Sequence, residues 1–284
     1  MFNKFFCLIW LSLAMFISSD LFSQAIPGKG KLFIIGGGWK PPAMINRMVM
    51  EAGMSGNDYA VVLPMASEVP VESAKEIKDQ FHDAGQERLY TVMFTQEQLT
   101  DKVKLDSVRN AKLIFISGGD QSKFISLIQG SPLMSTIHEA YRKGTLIAGT
   151  SAGAAMMSEI MITGNQLKDT TYRATFRTVE AANIETRRGL GLLKNAVIDQ
   201  HFLIRSRHNR LLTSVLEHRG TMGIGIDEST AILVKGKTAE VIGLSQVLTF
   251  SKPKEITKGI NGKYGVKNIS VGIYLPGQRF KIGG

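Results

Sequence analysis

Cysteine is almost absent from this chain of 284 residues, which contains only Cys7. Cys7 lies in an uncharged apolar run at residues 5–18, which follows a short basic start and is typical of a secretory signal peptide. The run is short for a membrane span, and an uncleaved N-terminal anchor is the alternative. We predict cleavage near Ser23, removal of residues 1–23 and export of the remainder. The mature chain then has no cysteine, which excludes disulfides, a thiolate nucleophile and cysteine-based metal sites.

Runs of basic residues are also missing, although the formal net charge is +10. Scattered lysines and arginines predict a solvated basic surface and no nucleic-acid partner. The G-x-x-x-x-G-K-S/T and G-x-G-x-x-G spacings of nucleotide sites do not occur, so we interpret the Gly-rich turns as close approaches of the backbone. We expect no cofactor, no metal and no membrane contact once the signal is removed. Residues 31–284 are predicted to form a single domain, since the composition is that of an ordinary globular protein.

Short apolar runs alternate with helical patterns over much of the chain, which predicts βαβ units and a parallel sheet. After residue 220 only short strands remain, and we expect them to extend the sheet in the antiparallel orientation. Residues 164–180 are polar and rich in threonine, and we predict a loop or lid there. Strands are expected at residues 31–35, 59–64, 90–94, 111–117, 145–148, 196–202, 221–227, 230–235, 238–242, 247–250 and 269–275. Helices are expected at residues 43–53, 70–84, 96–109, 122–128, 134–143 and 205–218.

A serine lies between a predicted strand and a predicted helix start at residues 149–153, Gly-Thr-Ser-Ala-Gly. This G-x-S-x-G pattern in a strand–turn–helix context is typical of a nucleophile elbow, with Ser151 at its apex. The backbone N–H of Ala152, at the first turn of the helix, would favour negative charge at the same place. The alternative is a structural tight turn.

A serine hydroxyl needs a base within hydrogen-bond reach to act as a nucleophile. His201 follows an apolar strand and is expected at the same sheet edge as Ser151, which makes it the predicted base. The alternative is a strand-end histidine bonded to the backbone. The remaining histidines fall in or at the ends of predicted helices: His82, His138, His208 and His218.

The base in turn needs an acceptor to orient it. We favour Glu228, because the strand before it should lie beside the strand that leads to His201; Asp169 is second. The order Ser, His, Glu differs from the Ser, acid, His order of the α/β-hydrolases, so that fold is not expected. The other candidate acids are Glu180, Glu185, Asp199 and Asp227.

Four motifs in this order resemble those of the cyanophycinases, in the serine peptidase family that also contains aspartyl dipeptidase (peptidase E). The similarity runs from about Lys31 to the C-terminus. It implies a flavodoxin-like, three-layer α/β fold with a mostly parallel sheet, related to the class I glutamine amidotransferases, and a Ser-His-Glu arrangement. The motifs are Ser117-Gly118-Gly119-Asp120-Gln121, Gly149-Thr150-Ser151-Ala152-Gly153-Ala154, Asp199-Gln200-His201-Phe202 with Arg205, Arg207 and Arg210, and Gly225-Ile226-Asp227-Glu228.

The resemblance implies that Ser151 is the nucleophile, His201 the base and Glu228 its orienting acid, with the amides of Gly119 and Ala152 as the oxyanion hole. It also implies a preference for β-linked aspartyl bonds and release of β-Asp-Arg dipeptides from cyanophycin. Isoaspartyl or aspartyl dipeptides are the alternative substrates, and a non-catalytic acidic-peptide-binding protein is the alternative of another class. A homodimer is a possible assembly. The implied substrate-binding residues are Gln121, Asp199, Gln200, Arg205, Arg207 and Arg210.

Overall fold

The structure is a computed structural model that describes residues 30–168 and 170–283. The predicted signal peptide and Asp169 lie outside the described residues. Within the described ranges, no helix is long and apolar enough to cross a membrane.

The first half of the described chain alternates strands with helices, as the apolar runs predict. Its five strands pair in parallel, in the order β1-β5-β4-β2-β3, and nearly all their residues are buried. Burial on both faces explains the continuous apolar runs in their sequences. The strands are β1 (Lys31–Ile35), β2 (Ala60–Leu63), β3 (Leu89–Thr91), β4 (Leu113–Ile116) and β5 (Leu146–Thr150). The helices are α1 (Pro42–Ala52), α2 (Pro70–Asp83), α3 (Lys102–Arg109), α4 (Gln121–Ile128) and α5 (Pro132–Lys143).

Helices cover both faces of this sheet, which gives three layers. One apolar cluster packs α1 and α2 against one face, and a second packs α3, α4 and α5 against the other. The predicted helix at residues 96–109 is interrupted: a 3-10 turn, Gln96–Thr100, precedes α3. The carboxylate of Asp101 accepts hydrogen bonds from the backbone of Val103 and Lys104, so Asp101 caps a new helix.

After β5 comes a four-residue helix, α6 (Ala152–Ala155), and then an antiparallel ribbon of β6 (Ile160–Gln166) and β7 (Ile184–Arg188). The predicted loop at residues 164–180 was therefore wrong at its start, which belongs to β6. The register of the ribbon shifts between Ile162 and Gln166, and Gly164 has φ 104°. These irregularities remove the alternation by which a strand is recognised in a sequence.

The next elements build a second sheet instead of continuing the first. β8 (Ala196–Gln200) and β9 (Met222–Ile226) pair in parallel, and α7 (His208–Glu217) connects them. One face of this sheet joins the core under α4 and α5, and the other packs against α7. The predicted helix at residues 205–218 therefore begins at His208, and Arg205 and Arg207 precede it.

The C-terminal strands divide between the two sheets. β10 (Thr230–Lys235), β11 (Thr238–Gly243) and β14 (Arg279–Lys281) extend the main sheet beside β1 in antiparallel orientation. β12 (Val247–Lys258) and β13 (Tyr264–Tyr274) instead form a long hairpin beside β9. The predicted mixed α/β fold with C-terminal antiparallel strands is confirmed, whereas the expectation that all these strands extend one sheet was wrong.

Candidate active site

Ser151 lies in a strained turn directly between β5 and α6. Its backbone has φ 53° and ψ −112°, in the region that disfavours residues with a Cβ. The flanking glycines are needed because a Cβ on Gly149 would lie 2.4 Å from the Gly153 carbonyl oxygen, and one on Gly153 would lie 2.3 Å from the Ile116 carbonyl oxygen. The backbone N–H of Ser151 donates to the carbonyl of Ile35, 3.0 Å away. The turn therefore holds the hydroxyl at the carboxyl edge of the main sheet.

Ser151, His201 and Glu228 form one hydrogen-bonded line. Ser151 Oγ lies 2.8 Å from His201 Nε2, and His201 Nδ1 lies 2.5 Å from Glu228 Oε1. The parallel pairing of β8 with β9 brings His201 and Glu228 to the same edge, although this is the edge of the second sheet. His201 N–H donates to the Gly36 carbonyl at 2.7 Å, which joins that edge to the end of β1.

The surroundings of His201 favour its neutral form. Burial lowers the pKa of the imidazole, and the positive charges of Arg205 and Arg207 lower it further. The hydrogen bond to Glu228 and its charge act in the opposite direction without reversing the shift. A neutral imidazole with Nδ1–H directed at Glu228 presents Nε2 as an acceptor to the Ser151 hydroxyl.

A glycine turn at residues 36–38 packs directly against His201 and Glu228. Gly37 has φ 120°, and a Cβ there would lie 2.3 Å from Cε1 of His201; a Cβ on Gly38 would lie 3.0 Å from Glu228 Oε2.

Lys40 is buried, and its Nζ donates to the Gly38 carbonyl at 3.0 Å. Burial lowers the pKa of Lys40. Sequence analysis identified the glycines as close approaches and missed Lys40, since a lysine after a turn ordinarily predicts exposure.

Asp227 is another residue whose role the sequence did not reveal. Its Oδ1 accepts the backbone N–H groups of Leu203 and Ile204, both at 3.1 Å, and its Oδ2 accepts the Ser245 hydroxyl at 2.8 Å. Asp227 therefore holds the turn that follows His201. The only signal in the sequence is its place next to Glu228.

The turn after β4, which contains Gly118 and Gly119, packs against Ser151. A Cβ on Gly118 would lie 3.3 Å from Ser151 Cβ, and one on Gly119, whose φ is 132°, would lie 2.1 Å from the Ala66 carbonyl oxygen. In the described part of the chain, no hydrogen-bond acceptor is recorded for the backbone N–H of Gly119 or Ala152. Two unused amide donors near the serine can stabilise an oxyanion.

Among the implied substrate-binding residues, Asp199 and Arg210 bind each other. Both are buried, and Asp199 accepts from Arg210 Nε at 2.7 Å and from Arg210 Nη2. Because both charged groups are buried and bonded to each other, neither is exposed to a substrate, and any effect of this pair on substrate binding is indirect.

Gln121, Gln200 and Arg207 also have partners within the protein. Gln121 Nε2 donates to the carbonyls of Ile162 and Thr163, at 2.8 and 2.7 Å, which ties α4 to β6. Arg207 Nη1 donates to the Gln200 carbonyl at 2.8 Å and to its side-chain oxygen. Burial lowers the pKa of Arg207 to about 10, with a contribution from Arg210, so it remains charged at neutral pH.

Arg205 differs from the other two arginines. It is exposed, and none of the described residues forms a recorded ion pair or hydrogen bond with its guanidinium. Its charge nevertheless acts on the pKa of His201. Arg205 is therefore the arginine of the three that remains available to an incoming carboxylate.

The remaining candidate bases and acids lie in other contacts. The ring of His208 packs on Phe202, with ring centroids 5.0 Å apart. His82 is hydrogen-bonded to Glu87, and His218 to Thr186. Glu180 pairs with Lys263, and Glu185 accepts the Thr163 hydroxyl at 2.7 Å. Asp169 lies outside the described residues. Within those residues, no group of three or more His, Cys, Asp or Glu side chains could hold a metal ion.

The chain also matches a known protein family. Residues 32–242 match the model of peptidase family S51. The chain belongs to peptidase family S51. The predicted family is thus confirmed, and the protein is a cyanophycinase-like peptidase of the serine type.

Individual proteins and a solved structure are also similar to this chain. The chain is 31% identical over 233 residues to a cyanophycinase of Trichormus variabilis, covering 79% of this chain and 75% of the relative. It is 25% identical over 168 residues to peptidase E of Actinobacillus pleuropneumoniae, covering 56% of this chain and 66% of that protein. The crystal structure of a peptidase from an acI-B1 Actinobacterium has a TM-score of 0.64 and 20% identity, covering 89% of this chain and 97% of that one. That last similarity concerns the fold alone.

Proposed function

We propose that this S51 peptidase is an exported serine exopeptidase that hydrolyses cyanophycin to β-Asp-Arg dipeptides through an acyl-enzyme on Ser151. The observation that carries the proposal is the hydrogen-bonded line from the Ser151 hydroxyl through His201 to Glu228. Similarity to a cyanophycinase over most of the chain supports the choice of substrate. The apolar run at residues 5–18 supports export.

In the first half of the reaction, Ser151 Oγ attacks the carbonyl carbon of the scissile bond while its proton passes to His201 Nε2. Glu228 accepts the Nδ1–H and stabilises the imidazolium that forms. The developing oxyanion is bound by the amides of Gly119 and Ala152; one such donor contributes about 10²–10³ in kcat in related chemistry. The tetrahedral intermediate then breaks its C–N bond, and Nε2–H gives its proton to the leaving amine.

In the second half, water replaces the amine. His201 Nε2 removes a proton from water as its oxygen attacks the acyl carbon, and the same proton is returned to Ser151 Oγ when the ester bond breaks. Each step uses a group of this chain and water.

An isoaspartyl or aspartyl dipeptidase is the second candidate. Two observations favour it: the similarity to peptidase E, and the exposed Arg205, whose guanidinium has no ion pair among the described residues and suits a free carboxylate. The chemistry at Ser151 is the same, so only the group around the scissile bond distinguishes the candidates.

The deciding experiment incubates the protein with insoluble cyanophycin and, separately, with isoaspartyl and α-aspartyl dipeptides. Products are identified by mass, and the Ser151→Ala variant serves as the blank. Release of β-Asp-Arg from the polymer is the expected result. Hydrolysis of dipeptides alone would replace the first candidate with the second, and binding of acidic peptides without hydrolysis would favour a non-catalytic protein. Export is tested by N-terminal sequencing of protein recovered outside the cytoplasm, with a start near Gln24 expected.

A further inference from the structure

A cavity of about 880 Å³ lies at the end of the main sheet opposite to Ser151. It is lined by the residues before β5, including Tyr141 and Arg142, and by Lys194 and Asn195 before β8. Ser151 and His201 follow the opposite ends of these same two strands. Since β5 has five residues at about 3.3 Å each, about 17 Å separate the cavity from the catalytic edge. The cavity is therefore distinct from the site of the proposed peptidase reaction.

The lining combines an apolar floor with a cationic rim. Met134, Val234 and Ile282 contribute apolar surface, and the walls are fixed by backbone hydrogen bonds between residues 156–159 and 189–193. The volume is within the range of about 300–1,000 Å³ that holds small organic ligands. Among the described residues, the rim carries four cationic side chains and a single carboxylate, Glu159. The cations are Arg142, Arg188, Lys194 and Lys237.

These four cations have no partner inside the described part of the protein. None of their charged groups forms a recorded ion pair or hydrogen bond there. The nearby surface is different, because Lys31, Arg47 and Lys235 all pair with Glu51. Burial lowers the pKa of His138, which also lines the cavity, so the positive charge comes from the arginines and lysines. All four side chains are exposed, so their charged groups are free to meet an incoming anion at the rim.

We propose that this cavity binds a single-chain amphiphilic carboxylate, with its apolar chain on the floor and its carboxylate among the rim cations. Long lysine and arginine side chains suit this role because their stems lie along apolar surface while their charges reach a carboxylate. The segment before Gly30 is a poor occupant by charge, since residues 1–29 contain Lys4 and Lys29 against Asp20 alone.

The test is direct binding of a fluorescent undecanoate to the full chain, followed by displacement with dodecanoate. Dodecanoate is expected to displace the probe with one site per chain, and dodecanol and dodecyltrimethylammonium should need at least about tenfold higher concentrations. The Lys194→Gln, Lys237→Gln double variant should bind at least about tenfold more weakly.

A matched control removes two exposed lysines that lie away from the cavity and have no recorded ion pair in the described ranges, as Lys102→Gln with Lys258→Gln. It should bind like the parent, and so should Ser151→Ala, because the catalytic edge is not involved. The proposal is overturned by absence of probe binding, by equal displacement with the neutral and cationic amphiphiles, or by equal weakening in both lysine pairs. None of these outcomes bears on peptide hydrolysis, so the two proposals fail separately.

Discussion

The His201–Glu228 pair and the Asp199–Arg210 pair both begin at the carboxyl end of β8, but their surroundings are opposite. The side chains of Asp199 and Arg210 are 0% and 5% exposed, whereas those of His201 and Glu228 are 11% and 31% exposed. Residues two apart on a strand normally point the same way, but His201 leaves the strand with φ 48°. Its ring therefore turns toward Gly37 and Ser151, while Asp199 stays beneath α7.

The difference shows what each pair can do. Asp199 and Arg210 hydrogen-bond to each other, with Arg207 3.8 Å from Asp199, and so tie β8 to α7. His201 keeps one ring nitrogen for Ser151 after the other has bonded to Glu228. Breaking the Asp199–Arg210 pair should therefore mainly lower stability. Breaking the hydrogen-bonded line of Ser151, His201 and Glu228 should mainly lower catalytic activity.

The largest expected effect is the loss of kcat when Ser151 is replaced. Ser151→Ala should lower kcat by about 10⁶-fold, the size found when the nucleophile of a comparable triad is removed. The midpoint of thermal unfolding should stay within a few degrees of the parent, because the hydroxyl bonds only to His201 among the described side chains. Steady-state kinetics and calorimetry on the same preparation measure both quantities; activity within tenfold of the parent would remove Ser151 from the mechanism.

Glu228→Gln should lower kcat by about 10⁴-fold, since an amide can hold the imidazole in the wrong tautomer and cannot stabilise its cation. KM should change far less than kcat, because Glu228 hydrogen-bonds to His201, the proposed base. A matched Glu180→Gln variant, which alters an acid paired with Lys263, should keep full kcat. Equal losses in the two variants would contradict the assignment of Glu228.

For the Asp199–Arg210 pair, Asp199→Asn should lower the free energy of unfolding by about 3–5 kcal/mol, because it leaves the buried Arg210 charge without its partner. Urea unfolding measures this loss. Replacing both partners, as Asp199→Leu with Arg210→Met, should recover part of the stability, since the buried Arg210 charge is then removed together with its partner, although Arg207 loses its 3.8 Å contact with Asp199. If the single and double variants are equally unstable, charge pairing is not the reason for the loss.

The smallest expected effect is on pH dependence. The proposed mechanism needs neutral His201. Because burial lowers its pKa, kcat/KM should persist below the ordinary histidine range and fall only as the pH drops through the lowered value. Arg205→Gln removes a positive charge that lowers this pKa, so the acid limb should move to higher pH. Lys102→Gln should leave the limb in place. A limb that moves to lower pH in Arg205→Gln would reverse the proposed role of that charge.

The sequence by itself was sufficient for features that depend on neighbours along the chain. Alternating apolar runs and helical patterns predicted the parallel layers, and the G-x-S-x-G pattern predicted the turn at Ser151. His201 and Glu228 were predicted to lie together because each follows a buried strand, and parallel neighbours bring their carboxyl ends to one edge. The motifs were specific enough to predict the S51 family, which is confirmed.

Only the tertiary structure decided which polar residues face each other. In the structure, β8 and β9 lie in a separate sheet, and Asp199 is bonded to Arg210. The turn at Gly37 packs against His201, and Lys40 donates to the carbonyl of the same turn. Such contacts join residues far apart in the chain, so no local periodicity records them. Whether a charge is paired and buried or free at a cleft depends on its distance from its partners, and that distance is set when the two sheets pack together.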